Sequence, residues 1–130
     1  MTIVADANIA IAVLNPDDVF HKQALRRCLD ADGVAILNIT WAESLIHPTK
    51  AGVFDAASAE LDRLGFKVEV LDDETADRAR VLRAKYGRKD FPIIDAVVVA
   101  FGIERGWPVL TCDAKWPNMS EASIERLAVS

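Results

Sequence analysis

The chain has 130 residues, is 52% hydrophobic and carries a formal charge of −5, a size and balance that suit one domain, residues 1–130, on one core. It offers no run of about 18 uncharged apolar residues, as a membrane span requires, and no basic stretch leading into an apolar signal segment. A cytoplasmic protein off the membrane is expected. Cys28 and Cys112, its two cysteines, lack CxxC spacing, which argues against a disulfide framework or a cysteine-rich zinc site and for buried small side chains.

In chain order, Ile3, Val4 and Ala5 read as a short buried strand, with Asp6 and Asn8 where the strand hands over to a helix. Residues 9–14 form a short apolar helix that Asn8 caps and Asn15-Pro16 breaks. A longer helix is expected from Asp17 or Asp18, with Phe20, Ala24, Leu25, Cys28 and Leu29 at helical spacing, closing near Gly33. Residues 34–39 are a continuous apolar run of strand length, the signature of a buried parallel strand. Thr40-Trp41-Ala42-Glu43 opens a helix that Pro48 stops. Another, from about Val53, sets Val53, Ala57, Leu61 and Leu64 on one stripe and ends at Gly65.

Residues 66–71 alternate, with Phe66, Val68 and Val70 against Lys67 and Glu69, as in a half-exposed strand. Asp72 or Asp73 caps a basic helix that runs to Tyr86 and ends at Gly87. Residues 92–105 are ambiguous, because Val97, Val98 and Val99 favour a strand. Their length, Pro92 at the first turn, and Gly106 and Pro108 past the end favour a helix buried on most sides. Residues 108–111 are then a strand, Asp113 follows it, and residues 124–129 make a weaker final strand. Strands and helices alternate throughout, so an α/β fold follows, with a parallel sheet covered on both faces.

Four acids stand out, each with a plain alternative. Asp6 and Asn8 suit turn or cap roles, and Asp113 suits a turn after a strand. Thr40-x-x-Glu43 is a capping box, by itself the stronger reading of Glu43. Asp95 is harder to dismiss, because an unpaired charge among Ile93, Ile94, Val97 and Val98 is costly. Together the odds change. Asp6, Glu43 and Asp113 each lie within a few residues of a strand's carboxyl end, which a parallel sheet brings to one edge, and Asp95 comes from a buried first turn.

Two carboxylates about 4 Å apart repel by roughly 4 kcal/mol at an effective dielectric of about 20, so four cannot ionise together without protons or cations. Oxygen-only ligands select magnesium or manganese over zinc. Such a site suits attack on a phosphodiester by a metal-activated water. The net charge speaks against nucleic acid, but Arg78, Arg80, Arg83, Lys85, Arg88 and Lys89 form a basic run just before Asp95. Singly these are solvated helix residues; together they make a rim, with Arg83, Arg88 and Lys89 the candidate nucleic-acid contacts. His21 and His47 read as surface or packing residues, and Trp41, Trp107 and Trp116 as packing before base stacking.

With those positions in hand, the chain resembles a PIN-domain ribonuclease, and most of all the VapC toxins of type II toxin-antitoxin pairs. The resemblance covers nearly the whole chain. It rests on V-A-D-A-N at residues 4–8, the Asn15-Pro16-Asp17-Asp18 turn with His21 and Ala24 following, T-W-A-E at 40–43, I-I-D-A at 93–96 and L-T-C-D-A-K-W at 110–116. It implies a PIN-like three-layer α/β/α sandwich with a mainly parallel sheet. It also implies a magnesium- or manganese-dependent endoribonuclease acting on RNA, often a homodimer, held by a cognate antitoxin whose segment occupies the active-site groove. By position, Asp6, Glu43, Asp95 and Asp113 match the metal-binding catalytic acids. Asn8 falls where relatives often carry a small hydroxyl residue, its amide able to orient a water, and Thr111 matches a supporting polar position. Residues 117–123 have no correspondence. The alternatives are a housekeeping nuclease of RNA maturation, a non-catalytic module, which loss of an acid would mark, and a phosphatase with Asp6 as nucleophile, for which the second acid is missing at Asn8.

Overall fold

The computed structural model describes residues 1–129. Five strands, β1 (Thr2–Ala5), β2 (Gly33–Leu37), β3 (Phe66–Glu69), β4 (Val109–Thr111) and β5 (Ile124–Arg126), form one sheet in the order β3-β2-β1-β4-β5, with every pairing parallel. Seven helices cover it: α1 (Ala7–Leu14), α2 (His21–Asp30), α3 (Asn38–Ser44), α4 (Ile46–Lys50), α5 (Phe54–Arg63), α6 (Asp73–Tyr86) and α7 (Ile93–Arg105).

Strand residues alternate between faces, so each of the central strands feeds two cores. Ile3, Ala5, Val34, Ile36 and Leu110 pack with α1, α2 and α5 through Ile9, Val13, Ala24, Cys28 and Leu61. Val4, Ala35, Leu37 and Val109 pack with α6 and α7 through Ala79, Leu82, Val98, Val99 and Phe101. Burial on both faces explains why β1 and β2 are unbroken apolar runs. It also settles residues 92–105: wedged between the sheet and α6, α7 follows its length and its Gly106 end, left-handed at φ 71°, over the β preference of its valines. No helix among the described residues is long and apolar enough to cross a membrane.

Gly102 shows how closely α7 meets β4. A Cβ built there would lie 2.4 Å from Val109 Cγ2 and 2.9 Å from the Trp107 carbonyl oxygen. Gly102→Ala is expected to cost about 3 kcal/mol in overpacking, against roughly 1 kcal/mol regained in helix propensity. Thermal unfolding should show a midpoint several degrees lower; an unchanged midpoint would contradict this packing.

Several local expectations are corrected. Asp6, not Asn8, caps α1, with Ala7 N–H donating to its Oδ1 at 2.8 Å. The helix expected from Asp17 or Asp18 starts at His21, because the Asn15 and Asp18 side chains accept from the amides of Asp17 and Phe20 and hold turns instead. Gly33 opens β2 rather than closing a helix, and Ile39 lies in α3 rather than the strand. Because α3 begins at Asn38, Thr40 sits inside it and the capping box does not form; the buried Thr40 Oγ1 has no partner among the described residues. Pro48 does not stop a helix but occupies the first turn of α4, where its missing N–H is harmless.

The alternation at residues 66–71 buries Phe66 alone. Val68 and Val70 are 45% and 72% exposed, because β3 is an edge strand and ends at Glu69. Gly87 ends α6 without the left-handed turn of a glycine cap, at φ −60°. It is needed there for closeness, since a Cβ would fall 2.0 Å from the Arg83 carbonyl oxygen and 1.7 Å from its guanidinium.

Candidate active site

Parallel pairing puts the carboxyl ends of β1, β2 and β4 at one edge, and the chain leaves β1 in opposite directions across the sheet, to β2 and β3 on one side and β4 and β5 on the other. The crevice between β1 and β4 is therefore the topological switch point, where open α/β sheets bind ligands. Asp6 closes β1 there, 7% exposed, its backbone N–H donating to the Leu110 carbonyl at 3.1 Å.

Thr111, the last residue of β4, is fully buried and serves as the hub. Its hydroxyl donates to Asp6 Oδ2 at 2.8 Å and accepts from Asn8 Nδ2 at 3.3 Å and from Asp113 N–H at 3.0 Å. Asn8 Oδ1 in turn accepts from Cys112 N–H at 3.1 Å. Asn8 thus ties the first turn of α1 to the exit of β4, committing its oxygen and one N–H to protein partners. Asp113 keeps part of its turn character, with Oδ1 accepting from Lys115 N–H at 2.8 Å.

Asp95 lies in the first turn of α7, half-buried, with Oδ2 accepting from the indole N–H of Trp116 at 3.0 Å. Glu43, freed from capping, stands exposed near the end of α3. Burial pushes the Asp6 carboxyl up to about 6; the Thr111 and Ala7 donors oppose this, and the charges of Asp95 and Glu43 add to it. Burial also raises Asp95, against the Trp116 bond and together with the charges of Asp113 and Glu43. Each acid therefore lies in the field of another. None of the four forms a salt bridge among the described residues.

As placed, no three His, Cys, Asp or Glu side chains among the described residues close into a ready-made ion cage. The donor set is nonetheless carboxylate oxygen alone, with excess negative charge around a buried Asp6, and suits a hard divalent cation. His21 Nδ1 pairs with the Ala12 carbonyl at 2.7 Å, and His47, exposed on α4, lines the same groove as Glu43.

The basic run divides in two. Arg78 pairs with Glu104, Arg80 with Asp77 and Lys85 with Glu121. Arg83, Arg88 and Lys89 form no ion pair among the described residues, and Arg88 and Lys89 are exposed on the loop that leads into α7 and Asp95. On the other side of Glu43 runs a groove of about 800 Å³, lined by Ile11, Leu14, Ile46, Pro48, Val53 and Ala57.

Two features escape sequence reasoning. Trp116 is indeed packed, 3% exposed, but its N–H reaches Asp95. The groove is assembled from residues on α1, α4 and α5 that no local pattern connects.

The PIN domain family model matches residues 3–122. The chain belongs to the PIN-domain family. This PIN domain matches none of the curated proteins compared with it. Among solved structures it is similar to a toxin-antitoxin complex from Klebsiella pneumoniae, at 24% identity and a TM-score of 0.76 over 92% of this chain and 94% of that one. It is also similar to a VapBC2 complex from Rickettsia felis bound to a promoter DNA fragment, at 16% identity and a TM-score of 0.75 over 98% and 100%. A third is a sarcin-ricin loop-cleaving VapC toxin of Mycobacterium tuberculosis, at 19% identity and a TM-score of 0.67 over 82% and 86%. At these identities the likeness is one of fold, and the PIN-like α/β/α arrangement expected from the sequence is the one found.

Proposed function

We propose that this PIN domain, acting as one domain over residues 1–130 in the cytoplasm, is a magnesium- or manganese-dependent endoribonuclease and the toxin of a toxin-antitoxin pair. The observation that carries the reading is a buried Asp6 at the sheet's switch point in the charge field of Asp95 and Glu43, with Asp95 in that of Asp113 and Glu43 and no basic side chain among the described residues paired to any of the four. Asp6, Glu43, Asp95 and Asp113 would hold the ion. When bound, it supplies Lewis acidity toward the phosphate and a lower pKa for a coordinated water.

The chain's own residues do the rest. Thr111 and the Ala7 N–H fix the two Asp6 oxygens, and Asn8 fixes the β4 exit that carries Asp113. Arg83, Arg88 and Lys89 offer cations to the RNA backbone beside the acids. The double variant Arg88→Ala with Lys89→Ala is expected to flatten the log–log salt dependence of RNA affinity by about 0.7 per cation removed. Turnover at saturating RNA should stay near the parent value. An unaltered salt slope would take these two residues out of the interface.

The structural neighbours are toxin-antitoxin complexes, and one toxin is named for cleaving the sarcin-ricin loop. Both support an RNA substrate and an antitoxin partner here. The apolar groove that Glu43 borders is suited to an antitoxin segment, and the resemblance adds a homodimer. The test is cleavage of RNA by the purified chain with magnesium or manganese and with chelator, beside expression of the chain alone in cells. Cut RNA only with the cation, and arrested growth, are expected. Cleavage untouched by chelation would overturn the mechanism, and unimpaired growth the toxin role.

A further inference from the structure

We propose that Trp116 is a positioning residue for Asp95, holding its carboxylate for the cation through one neutral donor; the inference rests on the nuclease reading above. Trp116 Nε1 donates to Asp95 Oδ2 at 3.0 Å. That bond engages one carboxylate oxygen, and among the described residues no donor reaches Oδ1. The carboxylate is thereby oriented with one oxygen left for a ligand role.

The donor itself is clamped from two directions. The indole ring meets fully buried Phe91 edge-on, with centroids 5.9 Å apart and planes at 71°. The Arg126 guanidinium, on β5, donates to the carbonyl oxygens of Trp116 at 3.1 Å and Pro117 at 3.2 Å. The end of the 110–116 motif and the start of the unmatched 117–123 stretch are in this way tied to the sheet by Arg126, and Trp116 ties them to the acid site. Anchored aromatic and backbone contacts of this kind remove the rotamer freedom that a lone surface donor would have.

The choice of side chain has a chemical reason. A lysine or arginine at this place would neutralise Asp95 and compete with a divalent ion for it. Indole is a donor without charge, carried on a large rigid apolar body that can be buried at no electrostatic cost. It orients the carboxylate and leaves its full negative charge for the metal. Outer partners that orient a metal ligand are worth about 10–100-fold in affinity or activity.

The test uses the full chain and Trp116→Phe, which keeps a ring on Phe91 and removes the N–H together with part of the indole's bulk. Binding of manganese to the metal-free protein, counted by electron paramagnetic resonance of the free ion, should weaken about tenfold, with RNA turnover falling similarly. The thermal midpoint without metal should stay within a few degrees of the parent's. Parent-like manganese affinity in a folded Trp116→Phe protein overturns the assignment.

Should that variant not fold, the parent's indole ¹H–¹⁵N resonances decide. The one retained in both Trp41→Phe and Trp107→Phe belongs to Trp116, and it should shift on adding magnesium and again in Asp95→Asn. A resonance indifferent to both overturns the proposal. A parent that binds no divalent ion overturns the nuclease reading and this inference with it, whereas a metal-binding, RNA-cutting parent matched by Trp116→Phe overturns this inference alone.

Discussion

Asp6→Asn should slow RNA cleavage on the order of a thousandfold, about 4 kcal/mol of barrier, while making the metal-free protein more stable at neutral pH. The two effects have one cause. Burial of Asp6 at the end of an apolar strand, with the charges of Asp95 and Glu43 adding to it, lifts its carboxyl from 3.8 to about 6. Its ionised form is thus disfavoured in the folded chain relative to the unfolded one. The stability this gives is fully present below pH 3.8 and is lost as the pH rises through about 6. At about 1.36 kcal/mol per pH unit the loss is roughly 3 kcal/mol by pH 8.

Asparagine keeps its one oxygen for the Ala7 N–H and turns its NH2 toward the Thr111 hydroxyl, giving up one accepted bond, but it carries no charge to bury, so its stability should not fall across that window. Thermal melts from pH 4 to pH 8 without metal check the sign. A variant less stable than the parent at pH 8 would show that Asp6 is held by partners other than those described. Magnesium should raise the parent's midpoint above pH 6 and leave the variant's almost unmoved.

Thr111→Val should be the most damaging change that removes no acid. The buried hydroxyl satisfies Asp6 Oδ2, Asn8 Nδ2 and Asp113 N–H at once, and valine leaves all three without it. A stability loss of about 2–3 kcal/mol is expected from unmet polar groups, with cleavage falling about 10–100-fold. Because Thr111 opposes the effect of burial on Asp6, its removal should extend the pH-dependent loss of metal-free stability above pH 6. Thr111→Ser keeps the hydroxyl and should recover most of the activity. A serine variant as slow as the valine variant would show that the methyl packing, not the hydrogen bonds, matters.

The strands were legible because a sheet buried on both faces leaves a simple mark: Ile3-Val4-Ala5 and Val34 to Leu37 are apolar at every position. Asp95 was legible because a charge inside α7 has to be explained. Glu43 was read against the grain, since Thr40 and Glu43 have capping-box spacing. Such a motif operates only where the helix begins, and α3 begins two residues earlier at Asn38. Asn8 and Asp6 exchanged roles for a similar reason: both residue types can cap, and only the tertiary pull of Thr111 and Cys112 on Asn8 decides which one does.

Val68 and Val70 misled because alternation says which side of a strand is apolar but not whether anything covers it. At the sheet's edge nothing buries them. Trp116 was assigned to packing, which holds, but the acceptor of its N–H lies on α7, 21 positions away. No local spacing encodes that pairing.

The most direct measurement is a manganese titration of the metal-free chain at pH 7.5, by calorimetry, beside the variant carrying Asp6→Asn, Glu43→Gln, Asp95→Asn and Asp113→Asn together. The parent should bind saturably, magnesium should compete, and the quadruple variant should bind nothing while remaining folded. Equal manganese binding by the two proteins would contradict the account.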